Sequence, residues 1–338
     1  MKLTRMISTV DSHTAGEGTR LVLSGLPAIR GETMAQKLAY AAEHLSWLPG
    51  WLLREPRGHK DLFGAVLVTP CSPGADAGAL FLDNSGYEPA CGHATIGVAT
   101  SLLASGAHTI AEPQTRLVLD TGAGPVETLA HIQDGEVESV TFDNVPAFVL
   151  HQDVAVRVPD LGEIIADVAF GGNFFALVDV DANGLNVSLE PASAGRLADL
   201  GMSILAAANA QISVRHPELP ELDRMIDLRF YQARMFGGLP RSRNVVVLGD
   251  HMVDRSPCGT GTCAEMALHH ARGQLALGQP FLVESILSTC FEGQLLAETR
   301  VGGLPAVRPR VTGSAYVTGF NRFVLQPGDP FPQGFQLK

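Results

Sequence analysis

Positive charge is scarce in this 338-residue chain, and lysine is its scarcest form. Only Lys2, Lys37, Lys60 and Lys338 occur, and arginine supplies the rest of the 24 basic residues, against 35 acidic ones. A net charge of -11 without a basic stripe excludes general binding to nucleic acid or to an anionic membrane, because neutralising phosphates requires grouped Lys and Arg. Long apolar runs are missing too. Met1 to Thr9 lacks the apolar core of roughly 7–15 residues found in a secretion signal. No later stretch reaches the roughly 18 apolar residues of a membrane span, so the expectation is a cytoplasmic protein.

Cysteines are few and odd in number: Cys71, Cys91, Cys258, Cys263 and Cys290. In a long chain of this kind they read as thiols rather than as a disulfide framework. Neither a C-x-x-C pair nor an H-E-x-x-H helix is present. Cys258, Cys263, His269 and His270 therefore do not read as a metal site, and no metal is expected.

What remains is a chain rich in apolar residues, 46% hydrophobic and 17% charged, which suits two domains of roughly 100–200 residues. Short β-branched runs alternate with helical patterns, so the chain reads as mixed α/β. Strands are expected at 21–23, 65–69, 79–82, 117–119, 175–178 and 244–248, with strand character again after Val311. Between Glu32 and Trp47 the residues Met34, Leu38, Ala41, Ala42 and Leu45 share one helical face. An Ala-rich helix is expected from Pro191 to Ala208.

The most informative feature is a repeat. Cys91-Gly92-His93-Ala94-Thr95 recurs in outline as Cys258-Gly259-Thr260-Gly261-Thr262, 167 residues later, about half the chain. Each copy follows a proline and runs into an apolar helical stretch, Ile96 to Leu103 or Cys263 to His270. A lone Cys beside Gly is most often a small buried hydrophobe. Two copies in matching positions point instead to chemistry, whereas Cys71, Cys263 and Cys290 lack the context and read as core or surface thiols. At a helix's first turn, unpaired N–H groups and the helix dipole favour a thiolate, lower its pKa and bind a carboxylate.

Two opposed acid/base groups suit inversion at a carbon next to a carboxylate. One thiolate removes the Cα proton while the other thiol protonates the opposite face. Backbone N–H groups aimed at the carboxylate stabilise the charge that develops. Pyridoxal phosphate would need a Schiff-base lysine, and only Lys37 and Lys60 lie away from the termini, neither in a phosphate-binding context; a cofactor-free reaction is expected.

Five segments carry a family resemblance: Asp11-Ser12-His13-Thr14-Ala15-Gly16-Glu17, Glu55-Pro56-Arg57-Gly58-His59, Cys91-Gly92-His93, Asp254-Arg255-Ser256-Pro257-Cys258-Gly259-Thr260-Gly261-Thr262 and Thr312-Gly313-Ser314-Ala315-Tyr316. Over nearly its whole length the chain resembles the proline racemases, with the related hydroxyproline 2-epimerases and trans-3-hydroxy-L-proline dehydratases. The resemblance implies a diaminopimelate-epimerase-like fold of two pseudo-symmetric α/β lobes, each a sheet wrapped around a central helix, with an imino-acid substrate between them. The lobes are expected to divide near Pro146, as 1–147 with 312–338 around Cys91, and 148–311 around Cys258. It also implies a homodimer.

Carried onto this sequence, the resemblance makes Cys91 and Cys258 the acid/base thiols. Gly92, His93, Gly259 and Thr260 line the carboxylate and ring site, and Asp254 holds the amine with help from His93. Asp11 and His13 are then structural support. Dehydratases resemble this pattern with threonine in place of Cys258, and a hydroxyl is a far weaker acid, so Cys258 favours inversion. Phe63 resembles the aromatic that closes a proline pocket, making proline the first expectation. Leu248, where proline racemases have a second Phe, leaves room for a ring substituent and keeps 4-hydroxyproline as the alternative. Pro89-Ala90 and Ala94 also depart from the family's usual Asn-Met and Gly.

Readings from other classes are weaker. Gly259 to Ala264 fits a loose G-x-G-x-x-A dinucleotide fingerprint, but roughly ten residues separate it from the strand it should follow directly. A binding protein that kept the site and lost the chemistry would not need both cysteines.

Overall fold

The computed structural model describes residues 3–220, 222–236 and 239–337. The fold is mixed α/β and divides into two compact units, Met1–Phe142 with Gly313–Lys338, and Asp143–Thr312. No helix among the described residues is long and apolar enough to cross a membrane.

In the first unit, Ala315–Leu325 pairs antiparallel with Arg5–Thr14, which pairs antiparallel with Glu17–Ser24. The sheet continues parallel to Phe63–Val68, antiparallel to Ala77–Leu82, parallel to Gln114–Thr121, then antiparallel through Gly124–Gln133 and Glu136–Asp143. The second unit runs Phe148–Val158, Gly162–Phe170, Phe174–Asp179, Asp227–Phe236, Leu239–Leu248, Pro280–Glu284, Cys290–Val301 and Leu304–Gly313. Its pairings follow the same series: antiparallel twice, parallel, antiparallel, parallel, antiparallel twice. The internal duplication seen around the cysteines thus extends to whole topologies.

Parallel neighbours need crossover connections, and the helices supply them. Helices α1 (Met34–His44), α2 (Trp47–Leu53) and α3 (Gly92–Ala104) serve the first unit; α4 (Ala194–Gln211) and α5 (Gly259–Ala271) serve the second. From Gly92 to Leu103 every residue of α3 is buried, as is every residue of α5 from Gly259 to His269. A helix buried on all sides belongs inside a core, and each sheet wraps its own. Gly97 shows how closely: a Cβ there would meet Thr19, Ser12 and Thr14 hydroxyls at 3.1–3.2 Å.

The helix expected between Glu32 and Trp47 is α1, and α2 begins at the far end of that segment. Thr33 caps α1, accepting the Gln36 N–H at 3.2 Å, and α1 ends at His44. Continuing it would drive the Pro49 ring into the carbonyl of Leu45, whereas proline is tolerated in the first turn of a new helix. The buried face also differs from the apolar pattern. It takes Lys37, whose Nζ donates to the Thr69 carbonyl at 2.5 Å, and leaves Ala42 exposed.

Candidate active site

Both cysteines of the repeat stand at the N-cap of a central helix, each just after a two-residue strand, Tyr87–Glu88 or Met252–Val253. The shared threonine has a visible purpose. Thr95 donates both its N–H and its hydroxyl to the Cys91 carbonyl, at 2.9 and 2.8 Å. Thr262 gives its N–H to the Cys258 carbonyl at 2.9 Å and its hydroxyl to the Pro257 carbonyl at 3.2 Å. These bonds start the helix at the cysteine and turn the first N–H groups outward past it.

In the first unit, Cys91, Gly92, His93 and Phe63 come together. Cys91 Sγ lies 3.6 Å from His93 Nδ1, and the Phe63 ring meets the imidazole edge-on with centroids 4.5 Å apart. Thr14 from the Asp-Ser-His segment donates to the His93 carbonyl at 2.9 Å. Asp11 accepts two bonds from Arg20 Nε and one from Nη2, while Arg20 Nη1 donates to the Leu52 and Arg57 carbonyls. The Asp11 and Glu55–His59 segments are thereby tied to each other. His13 Nδ1 accepts the Gly16 N–H at 3.3 Å, shaping its own turn.

In the second unit, Cys258, Gly259, Thr260, Asp254 and Leu248 come together. Gly261 N–H donates to Cys258 Sγ at 3.4 Å, and Thr260 Oγ1 stands 3.7 Å from the sulfur. Asp254 is buried; its carboxylate accepts the Ser256 N–H at 2.7 Å, and the Ser256 hydroxyl accepts the Cys258 N–H at 3.1 Å. Leu248, half-buried at the end of its strand, packs on the apolar cluster that includes Cys258. The Gly259–Ala264 glycines lie within the first turns of α5 rather than in a turn after a strand. His269 and His270 face different partners: His269 meets Glu265 and Gln274, and His270 meets Glu298 and the Leu275 carbonyl.

One expectation from the N-cap position fails. Burial pushes the Cys258 thiol up, well above the usual thiol range, and the nearby Asp254 carboxylate pushes it further; Arg229 and the Gly261 N–H only partly oppose this. Desolvation of the thiolate outweighs the helix terminus because the sulfur sits inside the core. The other thiols match their context: Cys71 half-buried, Cys263 buried and Cys290 exposed.

Arg229, Asn244 and Glu265 escape a reading by motif. A signal was nonetheless present in Leu228-Arg229-Phe230-Tyr231, because a guanidinium set among apolar strand residues must find a buried partner.

A model of the proline racemase family matches residues 9–336. The chain is 43% identical to the proline racemase of Clostridioides difficile and 42% identical to the 4-hydroxyproline 2-epimerase of Streptosporangium roseum, covering the full length of both partners in each case. Among solved structures it is similar to a hydroxyproline epimerase from Agrobacterium vitis with bound trans-4-hydroxy-L-proline, at TM-score 0.91 and 35% identity. That match covers 100% of this chain and 97% of the other.

Proposed function

The chain belongs to the proline racemase family, and from that premise we propose that it inverts Cα of a small imino acid by proton transfer between two cysteines, with no cofactor. Proline is the first substrate. The observation that carries this reading is that both repeats put a cysteine, not a threonine, at the N-cap of a central helix. A thiolate at one cysteine takes the Cα proton, and the thiol at the other delivers a proton to the opposite face. First-turn N–H groups, including those of Gly92, Gly259 and Thr260, hold the carboxylate and stabilise charge as the C–H bond breaks. His93 and Asp254 bind the ring amine.

Phe63 supports proline, since its ring already rests on His93 and narrows that side. Leu248 supports 4-hydroxyproline as the second reading, because a leucine on the rim of the Cys258 cluster leaves more room than an aromatic. Cytoplasmic location and a homodimer complete the proposal.

The test is proton NMR in D2O with L-proline, D-proline, trans-4-hydroxy-L-proline and trans-3-hydroxy-L-proline. Loss of the Cα–H signal with inversion of proline is expected. Inversion of the 4-hydroxy compound alone would favour the second reading. Loss of water from the 3-hydroxy compound without inversion of any substrate would overturn both.

A further inference from the structure

Arg229 is fully buried on strand Asp227–Phe236, opposite Val246 of the neighbouring strand. A guanidinium keeps its charge in proteins, so complete burial must be offset by partners. Nε donates to Glu265 Oε2 at 2.7 Å, and Nη2 forms an ion pair with the same oxygen at 2.7 Å. Nη1 donates to Asn244 Oδ1 at 2.8 Å and to the Pro257 carbonyl at 2.9 Å.

Two of these partners bear on Cys258. Pro257 supplies the peptide immediately before it, and Glu265 lies seven residues on, two turns along the same face of α5. The backbone of Cys258 has φ 62° and ψ 109°, a region that side-chain-bearing residues rarely adopt. Such a conformation persists only where its surroundings hold it. A Cβ placed on Gly261 would lie 3.0 Å from Arg229 Nη1 and 3.1 Å from Cys258 Sγ, so cation and sulfur flank one spot in the first turn of α5.

We propose that Arg229 is a positioning residue for Cys258. It holds the Pro257–Cys258 peptide in the conformation that aims Sγ at the Gly261 N–H, and it supplies the positive charge that offsets Asp254 at the sulfur. The proposal rests on Cys258 being an acid/base thiol. Asp254 from the preceding loop, Asp227 from the strand of Arg229 and Glu265 from α5 also bear charge around this turn, with His269 behind Glu265 and Arg255 beside Asp254 in the loop.

The experiment compares wild type, Arg229→Lys and the double variant Arg229→Met/Glu265→Leu, which removes the ion-paired carboxylate together with its arginine. Methyl methanethiosulfonate modification of Cys258 is followed against pH by peptide mass spectrometry, with Cys91 as internal control, alongside turnover. In the double variant, Cys258 modification should shift to higher pH and slow at least tenfold at pH 8, with Cys91 unchanged. The kcat should fall at least tenfold with KM within a factor of two. Arg229→Lys restores the charge and recovers the modification profile more fully than kcat; should the double variant fail to fold, the kcat loss of Arg229→Lys at near-normal KM carries the proposal. A folded double variant with wild-type Cys258 modification and kcat, or a wild-type kcat in Arg229→Lys when the double variant does not fold, overturns it. Modification needs no turnover, so a shifted profile in a protein that inverts no imino acid would uphold the role of Arg229 and sink the racemase reading instead.

Discussion

Cys91 and Cys258 occupy the same station on two buried helices, yet their surroundings diverge. Cys91 is half-buried on extended backbone at φ -151°, with an imidazole 3.6 Å from its sulfur. Cys258 is buried at φ 62°, with a carboxylate, a threonine hydroxyl and a backbone N–H around its sulfur. Duplication preserved where the two thiols sit and let their microenvironments drift apart. A reaction with mirror-image substrates needs an acid/base group for each face; it does not need the two groups to be alike. Burial and Asp254 both push the Cys258 thiol up, whereas Cys91 is the more open of the two.

Removing one thiol at a time breaks this comparison most severely. Cys91→Ser and Cys258→Ser should each lower inversion at least a hundredfold, within the range of about 10²–10⁴ for a general acid or base. In D2O each variant should retain Cα–H exchange from one enantiomer only, and from opposite enantiomers in the two variants. Cys71→Ser should leave inversion unchanged. Equal exchange of both enantiomers in either serine variant would show that the thiols do not divide the two faces.

A smaller effect tests how tightly the helix beginning at Cys258 is packed compared with its counterpart. At Gly261 a methyl meets Arg229, Cys258 and Phe175 at 3.0–3.2 Å, and its charged neighbour is pinned by four contacts. At Gly97 it meets three hydroxyls at similar distances. Gly261→Ala should therefore destabilise by about 1–3 kcal/mol, and Gly97→Ala by less, as read by urea unfolding. The reverse order would show that the Cys258 turn is the looser of the two.

The smallest effect separates the units by pH. Burial, aided by Asp83, raises Glu88 to about 7, three residues before Cys91. Its folded value lies above the ordinary 4.5, so its contribution is complete below that value and is lost as pH rises toward about 7. In the other unit burial would raise Glu265, but Arg229 and His269 hold it at about 2, so its contribution is lost only as pH falls from 4.5 toward that value. Thermal melts between pH 4.5 and 8 should slope downward in wild type and less steeply in Glu88→Gln, the remaining slope coming from Asp167 and His269, whose values are also raised. An unchanged slope in that variant would assign the pH response elsewhere.

Much of this was legible in the sequence because it is local. Apolar runs marked the central strands, and the repeated Cys-Gly-x-x-Thr marked both N-caps, since the threonine bonds reach back only four or five residues. The first helix was legible to within a few residues of its ends, but the burial of Lys37 on its face was not. What stayed hidden depends on distance along the chain. The burial of Cys258, the positive φ that bends it and the Arg229–Glu265 pair, 36 residues apart, arise from how α5 settles into its sheet. Motif spacing cannot report a sulfur's solvation.

The strand Ala315–Leu325 completes the first unit's sheet by pairing with Arg5–Thr14, in a register that sets Leu325 against Arg5. The second unit is one continuous stretch, whereas the first joins segments from both sides of it. Closing the first unit's sheet therefore closes a loop that contains the whole second unit, and the entropy of that closure grows only slowly with loop length.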